Sequence, residues 1–188
     1  CWVVLGKCDL FKSACNDAFK TFHAASHYPS FAFCEAVLKA QVYKGLILSE
    51  FLCGHQEKAL SCLPTLRDTA LSSFYRLTNS RSLRTEAVIA LYVGNFETAQ
   101  LALEKCLALV GSDYSDFSVR MEACKVRLLF SEVYRMTGNY GLSLKYLTET
   151  KTILESHKHV DFLLSCQVLR SFGELELLRS KVGEGIRL

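Results

Sequence analysis

Apolar residues recur along this chain every three to four positions, with polar residues between them. That is the period of amphipathic helices, and glycine, asparagine, serine and proline interrupt it at intervals. The interruptions predict nine helices, at about 1–13, 16–26, 31–53, 56–75, 80–93, 96–111, 115–137, 140–156 and 159–181. The segment 65–85 (TLRDTALSSFYRLTNSRSLRT) carries the weakest pattern. The longest apolar runs, 46–53 (LILSEFLC) and 87–93 (AVIALYV), fall far short of the ~18–20 residues of a bilayer-spanning helix, so no membrane span is expected. With 10 Gly and 2 Pro, the chain has too little punctuation for a sandwich or barrel of many short strands, and the expected class is all-α.

One turn is written more than once. Residues 92–106 (YVGNFETAQLALEKC) and 136–150 (MTGNYGLSLKYLTET) both set Gly-Asn-aromatic between two amphipathic stretches, with a small residue, Ala99 or Ser143, three positions after the aromatic. Gly94 and Gly138 can take the left-handed conformation that ends a helix, while Asn95 and Asn139 can accept from the backbone N–H groups that open the next. Gly54-His55-Gln56 with Ala59 is a looser copy, and Gly183-Glu184-Gly185 is expected to be a fourth turn. At the N-terminal end, Trp2-x-x-Leu5-Gly6, Ala18-x-x-x-Phe22-x-x-Ala25 and Pro29 reproduce the tetratricopeptide pattern, with Asp9 where its tyrosine stands and Tyr134 restoring that tyrosine later. The expectation is an α-solenoid of tetratricopeptide-like antiparallel helix pairs. It forms a single array over 1–188 with about five pairs, the last truncated, and its period of 40 to 45 residues exceeds the usual 34 or so.

Composition narrows the chemistry. The chain has 188 residues, 50% of them hydrophobic, and a formal net charge of +3, which excludes long disorder. It begins with Cys rather than Met and has no basic region leading into an apolar one, so an internal segment of a longer protein is expected. Nine cysteines, odd in number, irregularly spaced and without Cys-x-x-Cys, point to reduced, metal-free thiols in an intracellular setting. His23 and His27 are four apart but lack further ligands at metal-binding spacing, and His157 and His159 read as loop residues. No phosphate-binding Gly-rich loop, His-Glu-x-x-His or Gly-x-Ser-x-Gly occurs; no enzymatic activity, catalytic residue or cofactor is expected. Lysine and arginine exceed the acids by only 22 to 19, which does not favour nucleic acid. Lys125 and Arg127 read as a solvated helix flank, and Arg76, Arg81 and Arg84 as a solvated loop.

A helical solenoid works through its surfaces. Counted back from the turn glycines, the inner face of the array would present Lys44, Leu48, Phe51 and Leu52, then Arg84, Val88, Leu91 and Tyr92, then Leu128, Glu132, Arg135 and Met136. Phe51, Leu52, Arg84, Leu91, Tyr92 and Arg135 are the candidate partner-binding residues. The alternative is that long helices curl this face into internal core. Lys44-x-x-x-Leu48 lacks the asparagine with which chaperone-binding tetratricopeptide domains hold a C-terminal carboxylate, so an apolar protein surface suits the groove better than a charged tail.

From Phe22 onwards, over about four fifths of the chain, the order of features resembles the C-terminal tetratricopeptide-like part of the subunit 5 family of the anaphase-promoting complex. These features are Tyr28-Pro29, Cys34 and Gln41, the turn from Gly54 to Ala59, Arg84-Thr85-Glu86-Ala87-Val88 leading to Ala99, and the repeat from Arg127 to Leu147. The resemblance implies a non-catalytic scaffold of a cell-cycle ubiquitin ligase, in nucleus and cytoplasm. Its partners would be other protein subunits, with no nucleic acid, membrane or small-molecule substrate. Gly173-Glu174-Leu175-Glu176-Leu177 is similar to stretches in the helical repeats of separase, and a free-standing peptide-binding adaptor is a third possibility.

Overall fold

The computed structural model describes residues 14–156 and 161–185, the last five as backbone only. The first expected helix, with Trp2, Leu5 and Gly6, and the histidines His157 and His159 lie outside the described residues. Within them the chain is helical throughout, without strands. The elements are α1 (Cys15–Ser26), a 3-10 turn (Pro29–Phe33), α2 (Ala36–Leu52), α3 (Gln56–Ser72), α4 (Arg76–Tyr92), α5 (Phe96–Val110), α6 (Phe117–Met136), α7 (Tyr140–Glu155) and α8 (Phe162–Gly185). Consecutive helices pack as pairs, the arrangement of an α-solenoid of helical repeats.

Three boundaries differ from the sequence expectation. The helix expected from 31 begins at Ala36, because Pro29 opens a separate 3-10 turn between extended Tyr28 and extended Cys34. The break expected at 76–79 falls at 73–75, where the Ser73 hydroxyl donates to Ala70 O at 2.6 Å and accepts from Tyr75 N at 3.3 Å. Phe74 reverses the chain there with φ 55°. The turn expected at Gly183-Glu184-Gly185 does not form: all three residues continue α8, since glycine permits a left-handed turn without imposing one.

The other three turns are alike. Gly54, Gly94 and Gly138 have φ of 88°, 79° and 78°. Each glycine N–H bonds the carbonyl three residues back, and the following N–H reaches five back, from His55 to Glu50, Asn95 to Ala90 and Asn139 to Tyr134. This double bond answers the carbonyls left open at a helix end. Asn95 and Asn139 then accept from Thr98 N at 3.1 Å and Leu142 N at 3.2 Å, opening α5 and α7. His55 makes no such cap and instead pairs its Nδ1 with Glu50 Oε2 at 2.6 Å. Four residues into each second helix stands a small, fully buried residue: Ala18, Ala59, Ala99 and Ser143. Four and seven residues further come Phe22 and Ala25, Leu63 and Leu66, Leu103 and Cys106, and Leu147 and Thr150, all buried except half-buried Leu63.

The chain forms two compact units that divide between Ile89 and Ala90, inside α4. In the first, Ala40, Ile47, Phe51, Ala59, Leu66, Ala70 and Ile89 make one core cluster, and Ala18, Phe22, Ala25 and Val42 another. In the second, Met121, Cys124, Leu154, Leu164 and Val168 tie α6 to α7 and α8. The rings of Phe130, Tyr134 and Tyr146 stack beside them, Phe130 on Tyr146 at 4.8 Å.

Helices α1 and α2 approach closely at Gly45, where an added β-carbon would overlap the buried Phe22 ring. On an open helix surface Gly→Ala stabilises by about 1 kcal/mol, so the sign of the effect reports the crossing. Gly45→Ala is expected to destabilise the protein by about 1–3 kcal/mol in denaturant melts. Adding Phe22→Leu should restore part of the loss; a stabilised single variant would show that α1 and α2 do not meet there.

Candidate interaction surface

The structure separates the predicted groove residues into two groups. Phe51 retains 9% of its exposure and belongs to the core with Ile47 and Ala59, and Leu91 is likewise buried. Both are packing residues, and at these two positions the face is core rather than display. Leu52 and Tyr92, each the neighbour of a core residue and two positions before a turn glycine, are 55% and 71% exposed, and Met136 holds the same place before Gly138. Lys44, Leu48, Arg84 and Val88 are half-buried.

Arg135 is held within its own unit. Its Nε donates to Glu132 Oε2 at 3.0 Å, its Nη2 bonds the same carboxylate, and Glu174 of α8 lies 3.8 Å away. Arg170 in turn pairs with Glu174 at 2.7 Å. The hydrogen bond that Arg135 donates to Glu132 raises the Arg135 pKa above its ordinary value. Arg135 therefore braces α6 against α8 and is not a solvated ligand-seeking cation.

Two basic groups also depart from expectation. Arg127 is not a solvated flank: it is half-buried, donates to the Tyr114 hydroxyl at 2.7 Å and Glu149 at 3.3 Å, and lies over the Tyr114 ring. Arg76, Arg81 and Arg84 are on helix α4 rather than in a loop, because the chain reverses earlier, at Phe74. The His23 and His27 rings stack 4.1 Å apart, with His27 Nδ1 turned to the His23 carbonyl at 2.9 Å. Among the described residues no group of three or more His, Cys, Asp or Glu side chains gathers as a metal site, and no helix is long and apolar enough to cross a membrane.

A surface that the groove count missed lies on the first unit. Helices α1, α2 and α3 pack in sequence through short connections and so alternate in direction, which sets the connections after α1 and after α3 at one end, opposite the Gly54 turn. The first connection is pinned by Phe31, edge-on to Tyr43, and by Lys39 Nζ on Ala32 O at 2.7 Å, yet leaves Tyr28 and Phe33 exposed. The second exposes Leu71, Phe74 and Tyr75. Phe33 and Phe74 are each 91% exposed, more than any other large apolar residue described. The signal in the sequence was Ser-Ser-Phe-Tyr-Arg at 72–76, two aromatics immediately after a serine pair that closes a helix.

No protein-family model matches the chain, and no curated protein matches it.

Truncating the core partner and the exposed neighbour at one turn should separate the two groups. Phe51→Ala is expected to cost about 3–5 kcal/mol, whereas Leu52→Ala should stay within about 0.5 kcal/mol of the parent in the same melts. A second expectation follows from Cys124, whose thiol burial pushes up to about 11 against the pull of Arg127 and Arg120. Its folded pKa lies above the unfolded one, so its contribution is complete below pH ~9 and is lost as pH rises toward 11. The melting temperature should fall more steeply between those values in the parent than in Cys124→Ala; parallel curves would show that this thiol ionises freely in the native state.

Proposed function

We propose that this chain is a non-catalytic scaffold segment that presents the aromatic end of its first unit to a folded protein subunit in a large assembly. Phe74 carries this reading. It places a bare aromatic ring in water and holds it on a left-handed backbone that costs a residue with a β-carbon roughly 1–2 kcal/mol. The turn alone would be served better by asparagine or glycine. A side chain kept against local stability is explained by what it touches elsewhere, and aromatic anchors are the residues that dominate protein contacts. Tyr75, Leu71, Tyr28 and Phe33 at the same end widen the contact, while Leu52, Tyr92 and Met136 offer further apolar positions at the turns.

The assembly that the sequence features favour is the anaphase-promoting complex, with this chain as its subunit 5 repeat region, packed on other subunits in nucleus and cytoplasm. Tyr28-Pro29, the Gly54 turn, Arg84 to Ala99 and Arg127 to Leu147 support that reading. The Gly173 to Leu177 stretch, which lies within α8, favours separase as the second reading.

The test uses the full-length gene product, tagged and isolated with its associated proteins. Phe74→Asn combined with Tyr75→Ser should reduce association at least several-fold, while Phe74→Asn alone leaves the melting temperature unchanged or higher. Lys125→Ala is the control and should change neither. An undiminished set of co-purifying proteins would refute the proposed surface, and a set without anaphase-promoting complex subunits would refute that assignment.

A further inference from the structure

The Phe22 ring lies directly on Gly45, which fixes the register of antiparallel α1 and α2. Cys15 is seven residues back from Phe22, two turns along the same face of α1, and Cys53 is eight residues on from Gly45. Both helices rise by 1.5 Å per residue or so, so the two cysteines arrive at nearly the same level, at the end of the layer that carries the Gly54 turn. The side chains meet that expectation: Cys53 Sγ donates to Asn16 Oδ1 at 3.2 Å, and Asn16 is the chain neighbour of Cys15 in the first turn of α1. Cys15 and Cys53 are both half-exposed, whereas Cys106 and Cys124 are buried.

We propose that Cys15 and Cys53 form an oxidisable dithiol, which hydrogen peroxide closes into a disulfide between α1 and α2. Cys15 is the first to react. Its sulfur takes one hydroxyl from the peroxide and becomes a sulfenic acid, the O–O bond breaks, and the other oxygen leaves as water with the thiol proton. Cys53 sulfur then displaces that hydroxyl, the S–S bond forms, and the hydroxyl leaves as a second water with the Cys53 proton. Two thiols and one peroxide give one disulfide and two waters, with both sulfurs oxidised and both peroxide oxygens reduced. The second role suits Cys53, whose S–H is engaged by Asn16. Burial first, then the charges of Cys15 and Glu50, raise its pKa, which slows its own reaction with peroxide.

The pair can be read without ambiguity. Trypsin releases residues 13–20 and 45–58, each with a single cysteine. The reduced 188-residue chain, treated with hydrogen peroxide, alkylated and digested without reductant, should yield these two peptides joined, with two of the nine thiols lost and both returned by dithiothreitol. Cys15→Ser and Cys53→Ser should each abolish the joined species, and Cys166→Ser should leave it intact. Recovery of both peptides alkylated, irreversible oxidation of Cys15 without cross-linking, or cross-links confined to other cysteines would overturn the proposal. The wild-type digest decides the matter even where a serine variant folds poorly.

Discussion

Close approach of two backbones is the constraint on which the rest of this structure depends. A helix pair can stack on the next pair only if its two helices leave little space between them, and that space is set by one side chain per pair. Ala59 and Ser143 fill it, each four residues into a second helix and each without exposed surface. The turn determines where that residue falls. A left-handed glycine followed by a residue that bonds five positions back makes a connection of fixed length, so the small residue always arrives at the crossing. A β-carbon at the glycine would strain the turn, and a large side chain at the crossing would force the helices apart. Turn and crossing therefore specify each other, and the longer helices of this chain extend away from the crossing without altering it.

Energy is unevenly distributed around that frame. Apolar clusters hold each unit together, since a single buried aromatic or aliphatic side chain contributes several kcal/mol. Ion pairs such as Arg67 with Glu86 lie toward solvent and contribute at most about 1 kcal/mol each. Their value is directional. Arg135 sets α8 against α6, and Arg127 fastens the connection before α6 through Tyr114, so polar contacts choose one arrangement among several that the apolar surfaces would accept.

The repeat was legible in the sequence because its cause is local. Gly94-Asn95-Phe96 and Gly138-Asn139-Tyr140 state a helix stop, a helix start and a small-residue slot within a few positions, and the three-dimensional turns follow that order. What could not be read depends on competition between distant parts. Ser73 and Phe74 form a reversal with no glycine or proline to announce it, held by the two bonds of the Ser73 hydroxyl. Gly183 and Gly185 carried the expected signal but remain helical. The difference between buried Phe51 and exposed Leu52 is one step of 100° or so around a helix, smaller than a periodic pattern can resolve. Leu71, Phe74 and Tyr75 lay in the segment with the weakest periodicity, because residues directed outward obey no packing period.

The crossing between α6 and α7 differs from its counterpart in the first unit. There Ile47 and Ala59 share an apolar cluster, whereas here the Ser143 hydroxyl donates to the Ser131 hydroxyl across 3.5 Å of buried interior. Each hydroxyl is answered by the other. Exchanging one of these two helices for its equivalent from the first unit would leave a buried hydroxyl facing a methyl group, at a cost of about 1–3 kcal/mol. The repeats therefore share a shape without being interchangeable, and the pair of serines acts as an address that tells α7 which helix is its own.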